Sequence, residues 1–208
     1  MTPSSVYRIE PEAASHLVPR GSVILVETDE GADPRYDTVR RAAFRIARAG
    51  HASVVLYDRS SGSLFSDPYA SGPWTADVDA SHGDQSLGAE ELSALGRDRL
   101  RGQLVAAALA GVPARAWLAR GVSASAMADA VRRTGARLVV RAADTGRTSL
   151  VQRLTRRSPT AYRRALRIAF VVTVEPTGRV ALDELSCPVT WNPAASNGFT
   201  LASAESVR

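Results

Sequence analysis

Lysine is missing altogether: all 26 basic residues of this 208-residue chain are arginine. That absence excludes Schiff-base chemistry and the lysine of a phosphate-binding P-loop. Cysteine is nearly missing too. Cys187 stands alone, so neither an internal disulfide nor a cysteine-built metal site is available. The three histidines, His16, His51 and His82, are scattered, without the paired spacing of metal ligands. No G-x-S-x-G elbow is present. No apolar run approaches the roughly 18 residues of a membrane span. The longest runs, VILV at 23–26 and IAFVVTV at 168–174, have the length of buried strands. The first residues are polar, with no basic segment leading into an apolar stretch, so the default expectation is a cytoplasmic protein without a membrane partner.

What is present suits an ordinary folded domain. Hydrophobic residues make up 45% of the chain and charged ones 23%, enough for one sizeable core with extensions at either end. The formal net charge of +5 permits an acidic partner. An all-arginine bias points to a GC-rich genome as readily as to guanidinium chemistry, so nucleic acid is not the expected partner. Residues 17–22, LVPRGS, match a thrombin cleavage sequence. Ser22 runs straight into a strand-like segment, and the match is read as coincidence.

Residues 1–20 are polar and carry Pro3, Pro11 and Pro19, which suits a loosely attached extension. SVILVET (22–28) reads as a buried strand bounded by glycine-containing turns. From Pro34 to Ala49 the apolar residues fall at helical spacing, with Gly50 placed as a C-terminal cap. HASVVLYDR (51–59) is a second strand, giving a strand–helix–strand unit and hence a parallel pair. Residues 60–88 form a long loop rich in Ser, Gly, Asp and Pro. Helical periodicity resumes over 89–110, and VPARAWLAR (112–120) reads as an outer strand. SASAMADAVRRTG (123–135) opens with a serine cap and closes on glycine, another helix. ARLVVRAA (136–143) is a strand, PTAYRRALRIA (159–169) a helix, and FVVTVEP (170–176) a last strand. A turn and short extra strand are suggested over 175–185, followed by a polar tail.

These elements predict a single α/β domain over 21–176: a doubly wound, five-stranded parallel sheet with helices on both faces. N- and C-terminal extensions cover 1–20 and 177–208. Its ligand crevice belongs at the strand carboxyl ends, near the point where strand order reverses.

Over about 22–175 the chain resembles the universal stress protein family. The resemblance rests on VILVETDEG, on VVLYDR followed by a long variable loop, on ARGVSASAMADAV, and on GARLVVRAADTGRTSLVQRL leading to a serine-capped helix. It implies an adenine nucleotide alpha hydrolase-like fold and a nucleotide site. Glycines after the fourth strand let backbone N–H groups approach phosphates, and a Gly-Ser pair opens the next helix. An acidic residue after the first strand meets the adenine or a sugar hydroxyl.

Carried over, Asp29 takes the acidic position and Gly121 follows the third strand. With Gly146 as the second glycine of the loop, Ala143 replaces the first, at a cost of about 1 kcal/mol if the position needs positive φ. Arg156, followed by Arg157, stands where the third glycine belongs, and Ser158 takes the serine's part after one inserted residue. An arginine there either fills the phosphate volume or adds donors to it. The expectation is a non-catalytic regulatory or binding module, weakened or altered in nucleotide binding, with an unidentified protein partner. The family's pattern implies a homodimer through Phe170 to Val174, although 178–185 could cover that edge instead. Two alternatives stay open. One is a genuine ATP- or AMP-binding protein, with Mg, that hydrolyses ATP slowly. The other is an anion or nucleic-acid binder using the arginines of 141–167.

Overall fold

The fold begins earlier in the chain than the sequence suggests. In the computed structural model, which describes residues 6–30, 33–60, 83–120, 123–143, 169–183 and 200–201, the first element is a strand, β1 (Val6–Ile9). Helix α1 (Pro11–Ala14) starts on a proline, and a 3₁₀ turn over Ser15–Leu17 follows. Ile9, Ala14, Leu17 and Val18 are all buried. The segment expected to be a loose extension is therefore core, including two residues of the thrombin-like match. Its elements are each under five residues long, too short for periodicity to reveal.

The strands β2 (Val23–Thr28) and β3 (Ser53–Asp58) are parallel apolar runs, buried on both faces as such strands are. Between them lies helix α2 (Pro34–Gly50). Asp33 caps it by accepting a hydrogen bond from the Arg35 N–H at 3.0 Å. Its end differs from the expected glycine cap. His51, not Gly50, adopts the left-handed conformation, with φ of 50°. Gly50 answers a different need: a Cβ there would stand 3.4 Å from the Ser15 Cβ, so the 3₁₀ turn packs directly on the helix backbone.

The stretch 89–110, expected as one helix, is two. After a two-residue strand β4 (Ser86–Leu87) come α3 (Ala89–Ala94) and α4 (Asp98–Leu109). Gly96 takes a φ of +67°, breaking the helix, and the turn carries Arg97 into the interior. Strand β5 (Ala114–Leu118) leads to α5 (Ala124–Thr134), whose N-cap Ser123 accepts from the Ala126 N–H at 3.1 Å. Then come β6 (Ala136–Ala142), β7 (Phe170–Val174), β8 (Val180–Asp183) and the two-residue β9 (Thr200–Leu201).

The sheet has nine strands in the order β4-β5-β3-β2-β6-β7-β8-β1-β9. Its centre, β5-β3-β2-β6-β7, is the expected five-stranded parallel sheet. Antiparallel strands add to both sides. One face packs on α2 and α4 through Ile24, Val26, Leu56, Ile46 and Leu100, and the other packs on α5 through Leu25, Tyr57, Val139, Met127 and Val131. The layout is thus a doubly wound α/β fold, with a wider and mixed sheet.

The widening occupies part of the proposed dimer edge. β7 pairs with β6 on one side and antiparallel with β8 on the other, Val172 opposite Leu182 and Val174 opposite Val180. The chain turns back at once after Glu175, because Gly178 at φ +85° closes a tight turn. The Val172 to Val174 part of the expected dimer edge is therefore already taken within the chain. The 61–82 part of the long loop, the 159–168 stretch and the arginine cluster beyond Arg141 lie outside the described residues.

Candidate functional site

Strand order reverses between β2 and β6, which places the crevice of a doubly wound sheet over their carboxyl ends. That edge is where the interior becomes polar. Period-two alternation sends Ile24 and Val26 of β2 to the α2 face and Leu25 to the α5 face. Continued to the strand end, it turns Thr28 towards α2 and Glu27 towards the other face. Both are buried, as is Asp58 at the end of β3. Burying such groups is costly unless each is paired, and each is.

On the α2 side, the Thr28 hydroxyl accepts from Arg40 Nη1 at 2.7 Å and donates to Gln103 Oε1 at 3.0 Å. Arg40 also pairs with Asp37 one turn earlier. Asp58 Oδ1 accepts from both the N–H and the hydroxyl of Ser60, at 3.0 and 2.7 Å. The other oxygen, Oδ2, lies 3.7 Å from Arg97 Nη2. Arg97 Nη1 meanwhile donates to Glu30 Oε2 at 2.6 Å. One guanidinium thus sits between two carboxylates from different strand ends.

On the opposite side, Glu27 is flanked by two arginines. Its Oε1 lies 2.8 Å from Arg59 Nη1 and its Oε2 lies 3.6 Å from Arg141 Nε. Arg59 follows β3 and Arg141 belongs to β6, so the triad bridges the reversal of strand order.

Burial pushes the Asp58 carboxyl above the ordinary carboxylate range, against the pull of its Ser60 hydrogen bonds. Burial likewise raises Glu30, partly offset by the Arg97 charge. Both acids hold a proton more tightly folded than unfolded. Their contribution to stability is therefore full below the ordinary carboxylate range and is lost as pH rises through the raised values. The Asp58→Asn variant removes one of these titrations. Its melting temperature relative to the natural chain should rise as pH increases from the ordinary carboxylate range towards neutrality. Thermal melts across that window check this, and a constant difference would contradict it.

Of the expected site residues, Asp29 and Ala143 are described; Gly121, Gly146, Arg156, Arg157 and Ser158 lie outside the described residues. Asp29 directly follows β2, half-buried, and its charge acts on both Asp58 and Tyr36. Ala143 follows β6, and its N–H donates to the Val174 carbonyl at 2.9 Å. Among the described non-glycine residues only His51 and Asp84 have positive φ. Ala143 therefore carries none of the expected strain, and its main-chain donor continues the sheet.

Sequence reasoning missed Glu27, Asp58, Arg59 and Arg97 as site residues. An acid ending an otherwise apolar strand was the available signal for Glu27 and Asp58, and a glycine inside a helical pattern was the signal for Arg97. A cavity of about 570 Å³ lies elsewhere, along Arg41, Phe44 and Arg45 of α2 and the Pro176–Gly178 turn. Its arginines are exposed and it has no buried polar anchor. Among the described residues no cluster of His, Cys, Asp and Glu suits a metal ion, and no helix is long and apolar enough to cross a membrane.

Fold and site together define a doubly wound α/β protein with a charged, ion-paired strand-end site. No protein-family model matches the chain, and no curated protein matches it. Among solved structures it is similar to the universal stress protein from Archaeoglobus fulgidus, at 19% identity and a TM-score of 0.40, covering 64% of this chain and 84% of that one. It is also similar to a universal stress protein solved in complex with cAMP, at 20% identity and a TM-score of 0.43, covering 75% of this chain and 98% of that one.

Proposed function

We propose that this chain is a universal stress protein-like, non-catalytic binding module whose ligand sits over the carboxyl ends of β2 and β6. Its handling of adenine nucleotides is altered from the glycine-loop pattern. One observation carries the reading. Of the five buried polar or charged residues in the described chain, Glu27, Thr28, Asp58 and Arg97 lie together at this edge. A core that spends its buried charges in one place, at the reversal of strand order, is built for recognition there.

Two features support the finer parts. Each buried carboxylate is tied to an arginine, which suits fixed electrostatics better than proton transfer. The Ala143 N–H, which the glycine-loop pattern would turn to phosphate, is committed to Val174.

Native mass spectrometry of protein purified without added nucleotide tests the reading. The bare chain is expected, and added AMP, or ATP with Mg²⁺, should then raise the melting temperature saturably. Asp29→Ala should reduce that rise. Stoichiometric co-purified ATP, or its turnover, would contradict altered and non-catalytic binding. A melting temperature unmoved by any adenine nucleotide would remove nucleotide binding.

A further inference from the structure

We infer that the outer face of α2, with the adjoining end of α4, docks an acidic, amphipathic segment of a partner protein. This surface is separate from the strand-end site, and the inference does not depend on what that site binds.

Arg41, Arg45 and Arg48 follow one another at helical spacing, so they stand in one row along α2. All three are exposed, and none pairs with a carboxylate among the described residues. Arg41 Nε makes one long hydrogen bond, to the Asp37 carbonyl at 3.4 Å. Neighbouring acids are engaged elsewhere: Asp37 pairs with Arg40, and Glu175 accepts from the Thr177 hydroxyl at 3.3 Å. Such a row by itself would be a solvated helix face. What sets it apart is the cavity of about 570 Å³ that it borders. Phe44 and Ala110 line that cavity and pack half-buried on the core. The Pro176–Gly178 turn completes the lining, held by the Gly178 N–H on the Glu175 carbonyl at 2.8 Å. The groove is thus formed before a partner arrives, which lowers the cost of binding.

A second observation comes from α4. Val105 and Leu109, 45% and 86% exposed, are the large hydrophobic side chains that the described residues leave in solvent. They lie one turn apart on one face, and Ala110, the next residue, lines the same cavity. An apolar ridge therefore ends at the groove that the arginine row borders. Exposed apolar surface beside a charged rim is the composition of a protein interface.

The dimensions choose the occupant. Lining residues run from Thr38 to Arg48, about 15 Å of helix, and the three arginines cover about 10 Å of it. Cations so spread call for several separated carboxylates, and a small ligand would find no buried polar anchor here. Nucleic acid carries spaced charges too, but an aliphatic ridge gives its bases nothing to stack on. A lipid surface is flat and leaves a concave groove unfilled. An acidic helix with an apolar residue every three or four positions meets both the row and the ridge. The net charge of +5 favours its approach.

Fluorescence anisotropy tests this with a labelled helical peptide of about 15 residues, built from glutamate with leucine at every third or fourth position. Oligoglutamate of equal length, oligothymidylate and phosphatidylglycerol vesicles are the comparisons. The glutamate–leucine peptide should bind saturably, and about tenfold more tightly than oligoglutamate. Arg41→Gln/Arg45→Gln/Arg48→Gln should weaken it about tenfold or more without moving the thermal melt, all three side chains being exposed. Leu109→Ser should weaken it severalfold. Absence of saturable binding overturns the inference, as does binding retained in full by either variant. Oligoglutamate binding equally well overturns it, because the apolar ridge would then be idle. Tighter binding to oligothymidylate or to the vesicles overturns it in favour of a nucleic acid or a membrane surface.

Discussion

Deleting residues 1–20 will leave a chain that does not fold cooperatively. The segment buries Ile9, Leu17 and Val18, with Ala14 fully enclosed. Each of the three larger side chains contributes about 1.5–3 kcal/mol when buried. Together that is about 5–9 kcal/mol, against a total stability of about 5–15 kcal/mol for a typical domain. The loss does not stop at the deleted atoms. β1 covers the outer edge of β8, register Tyr7 to Leu182 and Ile9 to Val180, and its removal exposes a β-hairpin edge that invites aggregation. Gly50 also loses its close neighbour Ser15. Soluble expression and a thermal melt by circular dichroism decide the matter. A soluble deletion variant melting within a few degrees of the full chain would show that the segment is an accessory after all.

The central sheet was legible because its strands are long, apolar and spaced by helices of recognisable period. VILVET, SVVLYD, ARLVVRA and FVVTV all fall where their patterns place them. What escaped was decided by tertiary contact. β1 is four residues of mixed polarity that become a strand only because β8 is there to pair with. The break between α3 and α4 is invisible to periodicity, since Leu92, Leu100 and Leu104 continue an acceptable apolar stripe across it. The site was half legible. Reading by motif put weight on Asp29 and on the loop after β6, whereas the buried charges are Glu27 and Asp58, each inside a strand. A charge within an apolar strand reads as an exception to its pattern, and only the partner arginines, distant in sequence, explain how it is tolerated. Arg59, Arg97 and Arg141 are three among 26 arginines, and only Arg97, next to Gly96, carries a local mark.

Arg97→Met should be among the most damaging single substitutions, costing about 3–5 kcal/mol. The side chain is 11% exposed and stands between Glu30 Oε2 at 2.6 Å and Asp58 Oδ2 at 3.7 Å. Methionine fills much of the volume, so the loss is electrostatic rather than a cavity. Two carboxylates, one of them fully buried, would face each other without a countercharge. A surface ion pair removed in the same way costs about 0–1 kcal/mol, which makes the two cases separable by chemical denaturation. The second half of the prediction is a rescue. Adding Asp58→Asn to Arg97→Met removes the stranded charge while the amide can still accept from Ser60, so the double variant should recover about half of the lost stability. A single variant that loses less than about 1 kcal/mol would mean that Arg97 reaches water, and with it that the strand-end charges are not buried as a unit.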